Sequence, residues 1–61
     1  DYESQYKLYL LFNKFSYLEC AYNEIQNEAS YMKKKFKTRF LNYPGPKAII
    51  EEYNKVFKNN N

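Results

Sequence analysis

The 61-residue chain is one small domain at most, or part of one, and 44% of it is apolar, an ordinary share for a folded protein. Eight Tyr and five Phe outnumber Leu, Ile and Val, which total nine, and an aromatic content this high is the opposite of a disordered segment's. With no His, one Cys and a net charge of +3, the chain cannot assemble a Cys-His or Ser-His nucleophile, a His-based metal site or an internal disulfide, and no apolar run approaches a membrane span. The composition therefore predicts a non-catalytic protein without cofactors. A lone Cys and the lack of a removable apolar leader favour a reducing, intracellular compartment.

No Pro or Gly interrupts residues 4–42. Across this stretch apolar residues recur at Leu8, Leu11, Phe15, Leu18, Tyr22, Ile25, Ala29, Met32 and Phe36. That 3,4 spacing is the period of a helix with a coiled-coil-like seam. Leu10, Tyr17 and Tyr31 form a second line that widens the sticky face. One continuous helix over this span would be roughly 58 Å long. Two helices with a break between Cys20 and Asn27 are equally permitted, because Ser16-x-x-Glu19 fits a capping box and Asn23 and Asn27 are fair caps. The segment ends in Lys33-Lys34-Lys35-Phe36-Lys37-Thr38-Arg39, five cations in seven residues.

Asn42-Tyr43-Pro44-Gly45-Pro46 holds every Pro and Gly of the chain and reads as a turn. Pro46 then suits the first turn of a final helix, about 46–58, with Ile49, Ile50, Tyr53, Val56 and Phe57 on one face and Glu51 and Glu52 outward. Asn59-Asn60-Asn61 reads as a frayed end.

These elements predict an all-α fold, either an antiparallel helical hairpin or a three-helix bundle. The last helix, roughly 20 Å long, would cover the first segment only from about Ala29 to Phe40. Leu8, Leu11, Phe15, Leu18 and Tyr22 would remain, and burying five such side chains is worth on the order of 8–15 kcal/mol. A chain this small needs that burial to be stable. It must crease in the middle or lean on another protein or a second copy of itself.

The expected function is accordingly that of a structural or adaptor subunit in a larger assembly. Leu8, Tyr9, Leu11, Phe15, Leu18 and Tyr22 are the candidate adhesive. Lys33, Lys34, Lys35, Lys37 and Arg39 would steer it towards an acidic neighbour. The alternative is a small nucleic-acid-binding element using the same basic run, although helical geometry sends Phe36 and Phe40 into the core, away from any base. Cys20 reads as a small packing residue. The Tyr excess reads chiefly as interface, and Glu19, Glu24 and Glu28 as surface.

Leu8-Tyr9 near the start of one amphipathic helix, followed by Met32-Lys33-x-x-Phe36-Lys37 on the next, resembles the LYR-motif family of small mitochondrial proteins. That resemblance covers about Tyr6 to Lys58. It implies a three-helix bundle acting as an accessory subunit in mitochondria, with acyl carrier protein as its partner and Lys33 and Lys37 as the basic contacts. Leu10 stands where the family's Arg would be, and Arg39 where an Asn is usual. A second likeness, to the occludin/elongation-factor ELL C-terminal domain, rests on Tyr22, Ile25, Phe36, Pro44-Gly45 and Glu52-Tyr53-Asn54-Lys55-Val56, and would require shorter arms here.

Overall fold

Asp1 opens the first helix with a side-chain cap: its Oδ1 accepts the backbone N–H of Ser4 at 2.9 Å, satisfying one of the amides that a helix start leaves free. The computed structural model describes residues 1–58; the expected frayed end, Asn59 to Asn61, lies outside the described residues. From that cap, helix α1 spans Tyr2–Phe12 and ends at Asn13, whose φ of 57° and ψ of 34° are left-handed. Asn is one of the few residues that adopt this conformation readily. Its N–H donates to the Tyr9 carbonyl at 2.7 Å and closes the helix.

Lys14 is extended, and helix α2 runs from Phe15 to Ser30. It ends in a tight turn in which the Met32 N–H donates to the Ala29 carbonyl at 3.0 Å. Lys33 is again extended, and helix α3 spans Lys34–Asn42. Tyr43 alone links it to helix α4, Pro44–Phe57.

The fold is all-α, with four helices among the described residues. The segment 4–42, expected as one helix or as two with a break between Cys20 and Asn27, is instead three helices. Its creases fall at Asn13–Lys14 and Tyr31–Lys33, whereas Cys20 to Asn27 lie inside α2. The Ser16/Glu19 box is not used as a cap, because Lys14 occupies the N-cap position and makes no side-chain cap bond. The last helix begins two residues earlier than expected. Pro44 and Pro46 both fit its first turn, where no backbone N–H is required.

Two ring contacts fix the direction of packing. Tyr9 of α1 lies against Phe15 of α2 with ring centres 6.4 Å apart, and Phe12 lies against Tyr17 at 6.3 Å. A two-residue connection thus folds α1 and α2 into an αα-hairpin. Helix α4 runs back along α2, with Phe57 beside Phe15 at 6.1 Å and Tyr53 stacked on Tyr22 at 3.7 Å. The last helix therefore covers the early part of α2, the very stripe that a straight first segment would have left bare. The crease before α3 carries Phe40 onto Tyr2, at 6.1 Å, closing the other end.

The core comprises Tyr9, Leu18, Ala21, Ile25, Ala29, Phe40 and Ile49, with Tyr2, Tyr6, Tyr17, Met32, Leu41, Ile50, Tyr53 and Val56 packed around it. On α2 the buried line is Leu18, Ala21, Ile25 and Ala29. The small Ala21 lets neighbouring helices approach, while Tyr22, its expected counterpart on the seam, is half-buried and stacks on Tyr53.

Candidate functional site

One end of the bundle is left apolar and open. Leu11 (75% exposed) and Phe12 come from the last turn of α1, Phe15 (53% exposed) from the start of α2, and Phe57 from the end of α4. Phe15 and Phe57 belong to a series of six neighbouring rings: Tyr6, Tyr9, Phe15, Phe57, Tyr53 and Tyr22. These rings flank a largely aliphatic core of Leu18, Ala21, Ile25, Ala29 and Ile49, and Phe15 and Phe57 are where the series reaches the surface. Clusters of large apolar side chains of this kind mark interaction surfaces more often than scattered single ones do.

The second face belongs to α3. A cleft of about 340 Å³ is lined by Met32, Phe36, Arg39, Phe40 and Tyr43. Phe36 is 49% exposed, and Lys35 Nζ lies 5.4 Å from its ring centre. The expectation that Phe36 enters the core is therefore corrected. The chain breaks at Lys33, which resets the helical phase, and only Phe40 turns inward. From Ala29 to Ile50 the sequence carries six cations and no carboxylate. Among the described residues no Lys or Arg side chain is ion-paired.

A third feature, between α1 and α4, is an open groove of about 320 Å³ bordered by Tyr6, Leu10, Gly45, Ala48 and Ile49. A Cβ added at Gly45 would meet nothing within 4 Å, so the groove is open space there.

The candidate adhesive residues are divided by this arrangement. Leu11 and Phe15 are both exposed; Leu8 and Tyr22 are half-buried. Leu18 is fully buried, and Tyr9, 5% exposed, lies in the same core. Both serve the chain's own packing, which corrects their placing on a contact surface. The Tyr9 hydroxyl donates to Glu52 Oε2 at 2.7 Å. That hydrogen bond, with burial second, pushes the Tyr9 phenol up to about 12. Burial likewise raises Tyr2 and Tyr6.

Most of the tyrosines pack internally, and only Tyr31 and Tyr43 are exposed. Cys20 is exposed instead of packed. Phe12, Phe57 and Tyr43 were missed as candidates, since nothing in a 3,4 spacing marks residues displayed by a crease or a helix end. Lys33, Lys34, Lys35 and Arg39 are exposed and Lys37 is half-buried, all around α3.

Among the described residues no cluster of His, Cys, Asp and Glu is arranged to hold a metal ion. No helix there is long and apolar enough to cross a membrane. No protein-family model, curated protein or solved structure matches the chain.

Proposed function

We propose that the chain is a non-catalytic adaptor or structural subunit that docks through its apolar end into a larger protein assembly. One observation carries this reading: Phe15 and Phe57 meet ring to ring while half exposed, at the end of the bundle where Leu11 and Phe12 are exposed too. The chain satisfies its own helices, so the leftover apolar surface is available to a partner. The sequence has no His and a single Cys, which supports a binding role over catalysis.

The finer reading, suggested by the LYR-motif resemblance, places the assembly in mitochondria with acyl carrier protein as partner. In its favour, Leu8 and Tyr9 lie on α1, and Lys33 and Lys37, four positions apart, flank the start of α3. Against it, Leu10 replaces the family's Arg, and Tyr9 is committed to Glu52.

The test is the size of the native complex in the source cell. The tagged chain should migrate within a large assembly. Leu11→Asp, at the most exposed position of the patch, should release it while leaving its helical circular dichroism intact. A Leu11→Asp variant that stays in the same complex, or a wild-type chain that migrates alone, would overturn the proposal.

A further inference from the structure

The cations of α3 are arranged about its rings, and the arrangement selects an occupant. At about 100° per residue, Phe36 and Phe40 follow one another along α3, Phe36 half exposed and Phe40 turned in against Tyr2. Lys35 and Arg39 fall on one side of Phe36 and the half-buried Lys37 on the other, with Lys33 just ahead of the helix. Phe36 is thus an exposed ring of α3 with cations on both sides. The cleft beside Phe36 is lined by Met32, Phe36, Arg39, Phe40 and Tyr43. From Ala29 to Ile50 the sequence carries no carboxylate, and the nearby acids Glu3 and Glu28 act on Tyr2, on the Phe40 side of α3.

We infer that this face binds a single-stranded nucleic acid, with phosphates on the flanking cations and a base stacked in the cleft on Phe36 and Tyr43. The chemistry is that of single-strand binders generally, which combine a cationic track with exposed rings and are tolerant of sequence. A duplex keeps its base faces inside and offers the rings nothing. An acidic protein helix, the occupant implied by the LYR-like reading, would use the cations but present no flat surface to the rings. The inference is independent of the apolar end.

The experiment is fluorescence anisotropy with an oligothymidylate of roughly a dozen nucleotides, a length spanning one such site. It is run beside an abasic strand of equal charge, an oligoglutamate peptide and a duplex. The oligothymidylate should bind at least about fivefold more tightly than the abasic strand, the lower end of one base–ring stack. A fourfold rise in salt should weaken it on the order of a hundredfold if four or five phosphates are neutralised.

Phe36→Leu keeps the apolar bulk and removes the π-face. It should bring oligothymidylate affinity down to that of the abasic strand while abasic binding stays unchanged. Tyr43→Leu provides a second, independent loss of a ring, and circular dichroism verifies both folds. Leu11→Asp should leave all of these affinities unchanged, which separates this site from the apolar end. The inference is overturned if the abasic strand or the duplex binds as tightly as the oligothymidylate, if both ring variants bind like wild type, or if no strand binds. Tighter binding of oligoglutamate would overturn it too, and would give the face to an acidic protein.

Discussion

The Tyr9 hydroxyl and Glu52 Oε2 stand 2.7 Å apart across 43 positions of sequence. This hydrogen bond ties α1 to α4, two helices that otherwise meet chiefly through α2. Because the acceptor is a carboxylate and the phenol is in the core, the bond belongs to the stronger, charge-assisted kind.

Tyr9→Phe removes the donor and leaves Glu52, half-buried, without this partner. The expected loss is about 1.5–3 kcal/mol, the range for hydrogen bonds to charged groups. In a domain of this size each kcal/mol corresponds to about 4–8 °C in Tm. Thermal melting followed at 222 nm measures it, and an unchanged Tm would show that the bond contributes nothing.

Alkaline pH should act through the same group. The folded chain holds the Tyr9 phenol at about 12, above the ordinary 10, so it favours the neutral form. The resulting stabilisation is complete below pH about 10. It falls as the pH rises towards 12, because the unfolded chain ionises first. Tyr2 and Tyr6, raised by burial, work in the same direction. Urea midpoints should hold from pH 8 to about 10 and decline above it, more gently for Tyr9→Phe.

Gly45 lies in the first turn of α4 with no positive φ and with open space where a Cβ would go. Gly45→Ala should therefore stabilise the fold by about 0.4–1 kcal/mol, acting through the unfolded chain. A lowered denaturation midpoint would contradict the open groove between α1 and α4.

Asn13 provides the first crease. Asn13→Gly should be neutral or slightly stabilising, because Gly enters the left-handed region without penalty. Asn13→Val should cost at least about 1–2 kcal/mol, the steric penalty for an ordinary side chain there. If Val were tolerated as well as Gly, the crease would lie elsewhere.

The all-α class was legible in the sequence, because the 3,4 spacing is real within each helix and Leu18, Ile25 and Ala29 are buried as it requires. The error was to read one phase through the whole stretch. A left-handed residue at Asn13 and an extended Lys14 reset the helical phase, which puts Tyr9 inward and leaves Leu11 and Phe15 outside although all were placed on one contact surface. Asn13 itself was a readable signal, masked by apolar residues that kept their spacing across it. The second crease has no local marker, since no Pro or Gly lies near Tyr31 to Lys33. It follows from the contact it permits, Phe40 against Tyr2. The basic run was plain in the sequence. Its exposed rings were not, since Phe36 faces outward only because the helix restarts at Lys34.

The central claim is that this chain closes its own core by creasing twice and leaves an apolar end over. A nuclear Overhauser spectrum of the dilute chain tests it directly. It should show ring-to-ring contacts between Tyr22 and Tyr53 and between Phe15 and Phe57, with helical connectivities interrupted at Asn13 and near Met32. Uninterrupted helical connectivities through both points, without either ring contact, would contradict the account.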